Sequence, residues 1–234
     1  MCFYTSVFAN DFVQRKVAIV FRWTFYLIMT WSVKFMITFN ERMKQQFAFI
    51  QEIDKQKSVF RQTYLADGSR KENDAEHCWH MAVMAILMAE YANEEIDLLH
   101  TLSIILVHDL VEIYAGDTYA YDTEGNASKR EREVAAADKL FALLPDDQRD
   151  KFRGLWDEYE EGVTPEAKYA ASMDRIQPLM LNNASGGLAW KEHDVKASQV
   201  YGRNVKTAEG SKALWEYADE NFIKPNIGNK LKEG

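Results

Sequence analysis

From Met43 onward, apolar residues recur mostly at helical spacing, and the departures from that spacing mark the places to look for chemistry. Phe47, Ile50 and Ile53 set the first helical stripe, with Phe60 as its continuation. Leu65 to Asn73 (L-A-D-G-S-R-K-E-N) reads as a polar loop. Asn73 to Glu76 (N-D-A-E) has capping-box form and opens a helix to about Tyr91. The stretch Ile96 to Tyr114 is apolar on nearly every side and reads as a central, buried helix. Ala115 to Thr118 (A-G-D-T) breaks it, and Tyr119 to Asn126 continues as loop. Ser128 to Glu131 (S-K-R-E) is a second capping box, opening an alanine-rich helix that Pro145 ends. Asp146 or Asp147 caps a helix carrying Phe152, Leu155, Trp156 and Tyr159. Thr164-Pro165 is an N-cap followed by proline at the first helical position. Its helix runs through Asp174 toward Asn182, with a kink expected at Pro178. Gly186-Gly187 marks a loop, and a last helix spans about Ser211 to Phe222. No hairpin dipeptide sits between alternating runs, so the expected fold is one all-α domain over residues 43–234.

Residues 1–42 depart from this pattern. They are dense in Phe, Trp, Tyr, Ile and Val without a helical stripe. Arg22 and Lys34 interrupt the apolar run, and the uncharged stretch Trp23 to Val33 falls well short of the ~20 residues a membrane span needs. The expectation is that Met43 begins the domain and that 1–42 is an upstream extension; the alternative is a membrane-surface anchor. The chain has 234 residues and a net charge of −8, so it has no global basic footprint for nucleic acid, and an anionic substrate would need locally placed arginines. Two cysteines, Cys2 and Cys78, form no framework, which suits a reducing cytoplasm. Cys78 is expected to be a small buried thiol and not a ligand, since it neighbours His77 directly on a helix.

The chemistry concentrates in three segments. His108 and Asp109 lie inside the apolar run, where an unpartnered ionisable pair is costly. Glu112 follows at helical spacing, so the three can face one pocket. Imidazole with carboxylate suits a divalent transition ion such as Zn, Mn, Co or Fe. A lone histidine here would ordinarily be a core residue bonded to a carbonyl; the cluster of three favours a metal. His77, in the first turn of the preceding helix, comes close to His108 if the two helices pack antiparallel. His80 at i+3 is a weaker partner. Asp174, on an inward stripe, is structural if taken alone. As a fourth ligand it completes an octahedral shell with two waters. Trp190, His193 and Arg203 are left without a role, as is the Lys129, Arg130, Arg132 run, read as a solvated face paired with Glu131 and Glu133.

E-H at 76–77, H-D at 108–109 and D at 174, set in R-K-E-N-D-A-E-H, I-I-L-V-H-D-L-V-E-I-Y-A-G-D-T and M-D-R-I-Q-P-L, resemble the HD-domain metal-dependent phosphohydrolase superfamily. The likeness is to the branch holding bacterial 5′-deoxynucleotidases and HD-domain-containing protein 2, and it spans about Phe47 to Phe222. The resemblance implies an all-α HD-domain helical bundle. It implies His77, His108, Asp109 and Asp174 as ligands of one divalent ion (Co, Mn, Zn, Fe or Mg), and Glu112 and Asp117 as the catalytic acidic pair. An arginine that holds the 5′-phosphate is also implied, matched first by Arg61 and second by Arg70. It further implies a homodimer that hydrolyses (deoxy)nucleoside 5′-monophosphates. The competing expectations are an HD phosphodiesterase acting on another phosphate ester, and a non-catalytic module clipped by a metal.

Overall fold

The computed structural model describes residues 24, 28–30, 34, 36 and 38–234. Most of 1–42, including most of the apolar stretch from Trp23 to Val33, lies outside the described residues. The chain divides into two compact units, Met1–Phe47 and Ala48–Gly234. The described residues 38–47 of the first are helical.

The second unit is almost entirely helical. It opens with helical residues 48–53 (α1), where the buried residue is Phe49 and not the expected Ile50, which stays exposed. Phe49 meets Phe152 edge-on at 5.3 Å. A 3-10 turn, Asp54–Ser58, leads into the one departure from the helical expectation. Phe60–Tyr64 (β1) and Lys71–Asn73 (β2) pair antiparallel. Phe60 therefore belongs to a strand, and the polar stretch after Leu65 is the turn of a hairpin. Its turn contains an Asp67-Gly68 pair, which the sequence reading took as part of a polar loop, and Gly68 takes the positive φ of 70°. The hairpin feeds directly into Asp74–Leu87 (α2), whose capping box forms as predicted: Glu76 N donates to Asn73 Oδ1 and Asn73 N to Glu76 Oε2.

Leu98–Val107 (α3) is shorter than predicted. After it the backbone tightens into successive i→i−3 hydrogen bonds, Leu110 to Val107 and Glu112 to Asp109, before Glu112–Ala115 (α4). His108 and Asp109 thus sit in a tight turn at a helix end. Burial is also one-sided: Ile104 and Ile105 are fully covered, whereas Leu99 and Leu106 face outward. Thr123–Ala127 (α5) and Lys129–Phe141 (α6) follow. Ser128 does not cap α6 through its side chain; its hydroxyl oxygen accepts from Arg132 Nε at 3.3 Å. Asp146–Glu161 (α7) is a full helix of 16 residues entered from Pro145, with neither aspartate as its cap.

Pro165–Ala184 (α8) is the spine of the domain. Thr164 Oγ1 accepts from Ala167 N, as predicted, and the helix continues through Pro178. It packs against α2, α3 and α7, burying Tyr169, Ala170 and Met173 completely. Leu188–Glu192 (α9), Ala197–Asn204 (α10), Thr207–Gly210 (α11) and Lys212–Ala218 (α12) complete the unit, and a π turn, Asp219–Ile223, ends what the sequence read as one last helix. Gly210 approaches α8 closely: a Cβ there would lie 2.2 Å from the Lys168 carbonyl oxygen. Backbone cannot yield as a flexible side chain does, so overpacking here costs about 2 kcal/mol or more. Gly210→Ala is expected to lower the unfolding free energy by that amount, read as a urea midpoint about 1 M lower, and an unchanged midpoint would show that α11 is free to move.

Candidate metal centre and its cavity

The site forms where the first turn of α2, the turn after α3 and the middle of α8 meet. His77, fully buried, reaches Asp174 Oδ1 with Nε2 at 3.1 Å. Its Nδ1 lies 3.0 Å from Gln177 Oε1. An amide oxygen only accepts, so Nδ1 carries a proton, and Nε2 is the nitrogen left to coordinate a cation once the ring is neutral. Gln177 is held in turn by donating to Glu72 Oε1 at 2.7 Å. His108 is oriented the same way, its Nδ1 donating to the Ile105 carbonyl at 2.7 Å. Its Nε2 stands 3.1 Å from Asp109 Oδ1 but is buried without a hydrogen bond. The two rings are 6.0 Å apart, as antiparallel α2 and α3 require.

These donors fit a divalent cation. His77, His108 and Asp174 each bring a ligand atom within 4.8 Å of the others, and Asp109 Oδ2 stands 3.9 Å from His77 Nε2. With bonds of about 2.1 Å, octahedral donors stand about 3.0 Å apart when adjacent and about 4.2 Å when opposite. Two oriented imidazoles and two carboxylates at these spacings, with an orphaned ring nitrogen among them, make a transition-metal donor set. Hydrogen bonds that fix each histidine from behind are the usual companions of such sites. Cys78 lies 4.0 Å from His108 Nδ1, the nitrogen already engaged by Ile105, so it packs as the predicted buried thiol. His80 turns to Gln177.

Electrostatics separate the carboxyls into two groups. Burial opposes ionisation of Asp109, but His108 and Arg61 hold it well below the usual carboxylate range. Asp174 is likewise lowered against burial, chiefly by His77 and Arg203. A second trio, Asp74, Glu112 and Asp117, gathers beside them with carboxylate oxygens within 4.8 Å. Burial first, then the charge on Asp109, pushes Glu112 well up and Asp74 to about 7. Burial also raises Asp117, against the pull of Arg61. Burial and Arg61 oppose protonation of His77, yet Asp174 and Glu72 raise it.

Of the two candidate arginines only Arg61 enters the site. From β1 its Nη1 reaches Asp109 Oδ2 at 3.1 Å and its Nη2 lies 3.7 Å from Asp174 Oδ1. Arg70, in the hairpin turn, forks onto Glu76 and is half exposed; it does not line the cavity. That cavity, about 440 Å³, is walled by Arg61, Asp109, Glu112, Asp117, Tyr119, Tyr121, Tyr159, Trp190 and Arg203 among others. Lys129 and Arg130 also face it, paired with Glu133 and Glu160 and not with Glu131. Arg132 is no solvated charge: it donates to the Ala115 carbonyl, Thr118 Oγ1 and the Gly125 carbonyl, clamping the loop that carries Asp117. Asp74, Gln177, Glu72 and Arg132 are the site residues the sequence reading missed. The i, i+3 spacing of Asp174 and Gln177 was the one available signal.

Residues 53–215 match the HD domain family. A predicted metal-dependent phosphohydrolase of known structure from Magnetospirillum magnetotacticum is 46% identical, with a TM-score of 0.73, covering 76% of this chain and 90% of its own. This chain belongs to the HD-domain family, and its helical bundle is the fold of that family. Among curated proteins, the 5′-deoxynucleotidases HDDC2 of Xenopus laevis and Homo sapiens are 32% and 31% identical over 111 residues, 47% of this chain in each case. The chain spans about half the length of these curated relatives, 54% and 53%.

Protonation of this cluster has a consequence for stability. An aspartate that titrates near 3.9 unfolded and about 7 folded takes up a proton on folding. The stability it lends is complete below ~4 and lost as pH rises through about 7. His77 and His108, both raised, act in the same direction. Metal-free protein is therefore expected to melt several degrees lower at pH 8 than at pH 5.5, with the slope reduced in Asp74→Asn. Calorimetric scans across that range that show no slope, or the same slope in the variant, contradict the assignment.

Proposed function

We propose that this chain is a metal-dependent phosphohydrolase that converts (deoxy)nucleoside 5′-monophosphates to nucleoside and phosphate. The carrying observation is the convergence of His77, His108, Asp109 and Asp174 on one point, with Arg61 at its rim. A divalent ion held by those four residues supplies Lewis acidity at the phosphoryl group and lowers the pKa of water from 15.7 to about 7. The protein's own residues do the rest. Arg61 pairs with the phosphate through a planar fork. Asp109, held ionised, has two oxygens, one toward His108 and one toward Arg61, so a single carboxylate can meet the ion and orient the attacking water. Glu112, kept in its acid form by burial and by its acidic neighbours, is placed to give its proton to the 5′-oxygen as the P–O bond breaks. Asp117, fixed in the turn after Gly116, accepts from a sugar hydroxyl. Tyr119 and Tyr121 offer faces for the base.

Mn²⁺, Co²⁺, Zn²⁺, Fe²⁺ and Mg²⁺ are the ions to compare. The relatives named as 5′-deoxynucleotidases support the monoester reading over a phosphodiesterase. Metal-loaded protein is expected to release phosphate from deoxyadenosine 5′-monophosphate and not from a cyclic nucleotide. Glu112→Gln should lower kcat by about 10²-fold or more, and Arg61→Ala should mainly raise KM. Phosphate release that survives both chelation and Asp109→Ala would refute the reading.

We further read the protein as a cytoplasmic homodimer that needs no membrane. Trp79, Val83 and Ile86 form an exposed apolar stripe on α2, with Leu99 and Leu106 exposed on α3, a surface of the kind that marks an interface. The segment Leu98–Ala115 is apolar and long enough to cross a bilayer, but half of it is buried in the fold and it carries His108 and Asp109. Cys78 is a free thiol, as a reducing compartment maintains. Sedimentation is expected to show a dimer that Trp79→Glu with Val83→Glu converts to monomer; a monomeric wild type would overturn this.

A further inference from the structure

One wall of the cavity is cationic well beyond what a single phosphate uses. Lys168 and Arg175 on α8, Arg203 on α10 and Lys206 in the following turn all line it, in a chain of net charge −8. Lys168, Ala171, Arg175 and Leu179 recur at helical spacing and form one stripe facing the cavity. Lys206 is held beside that stripe, because Ser172 Oγ donates to the carbonyl of the adjacent Thr207 at 2.8 Å and Gly210 abuts the Lys168 carbonyl. Among the described residues, the side chains of Lys168, Arg175 and Lys206 make no hydrogen bond or ion pair, and Arg175 Nε is buried without a partner. Arg203 spans the two regions, with Nη2 3.4 Å from Asp174 Oδ2. Apart from that Arg203–Asp174 pair, the acids on the same cavity do not bind these charges: Glu133 and Glu160 are taken by Lys129 and Arg130, and none of Asp109, Glu112, Asp117, Glu161 and Glu209 pairs with Lys168, Arg175 or Lys206.

Like charges gathered on one face repel one another and raise the local concentration of anions. We propose that this wall is a second anion subsite, and that the preferred substrate is a nucleotide carrying a second phosphate group besides the 5′-ester at the metal centre. The proposal rests on the phosphohydrolase reading and narrows its substrate class. Lys168 precedes Asp174 by six residues, on the order of 9 Å along the helix axis. The subsite thus begins at a metal ligand and extends far enough for a phosphate on the far side of a ribose. The chemistry at the 5′-ester is unchanged: water adds to phosphorus, the P–O5′ bond breaks, and the second phosphate leaves on the nucleoside.

The test compares adenosine 5′-monophosphate with the 2′,5′- and 3′,5′-bisphosphates, using Mn²⁺-loaded protein. At least one bisphosphate is expected to show kcat/KM about tenfold or more above the monophosphate, with the difference in KM; which one does so locates the second phosphate. The advantage should shrink about tenfold in Lys168→Ala with Arg175→Ala. It should also shrink in Lys206→Ala, an exposed turn position that leaves α8 intact. Equal kcat/KM for all three nucleotides, or an advantage that survives these substitutions, overturns the subsite while leaving the hydrolase reading standing. If no nucleotide is hydrolysed, that reading fails, and calorimetric titration of the same compounds decides the subsite alone. Tighter binding of a bisphosphate, lost in the variants, upholds it; equal affinities overturn it.

Discussion

Two hydrogen bonds behind the histidines carry the arrangement. His77 Nδ1 donates to Gln177 and His108 Nδ1 donates to the Ile105 carbonyl, so Nε2 is the nitrogen that each ring, when neutral, has available for a cation at the shared point. If either bond were absent, the ring could rotate or change tautomer, and a buried donor would face the cluster where an acceptor is needed. Everything that positions the remaining donors is built around that pair. α8 supplies Asp174 and Gln177 one turn apart, so one helix face holds both a carboxylate of the cluster and the clamp of His77. The tight turn after α3 places Asp109 beside His108 instead of on the opposite side of a regular helix.

The cost of so many ionisable groups in one interior is visible in how they divide. Asp109 and Asp174 stay ionised because imidazoles and arginines face them. Asp74 and Glu112 are pushed toward the acid form, because burial and their acidic neighbours outweigh Arg61. A single crowded pocket therefore holds carboxylates suited to binding a cation next to carboxyls suited to carrying a proton. The division arises from position alone, since the side chains are chemically the same.

The helical architecture and the four converging residues were legible in the sequence, because apolar spacing and capping signals act locally. The capping box at Asn73 and the Thr164-Pro165 start formed as read. Failures fell where tertiary contacts override local preference. Ser128 had the right residue type for a cap, but Arg132 occupies its hydroxyl oxygen. The hairpin escaped notice because its strands are short, five and three residues, so Asp67-Gly68 read as part of a polar loop. The apolar run from Ile96 read as one helix because composition does not register a change from i→i−4 to i→i−3 bonding. Asp74 was hidden behind its neighbours: in a capping box, an acidic residue in the first turn already has a reason to be there.

The Arg132 clamp bears on how the cavity meets its ligand. With three bonds to Ala115, Thr118 and Gly125, the loop bearing Asp117 is ordered by the fold itself. Its conformational entropy is surrendered once, when the chain folds, and not at each encounter. On the proposed reading, a ligand reaching that corner would meet a surface the fold has already formed.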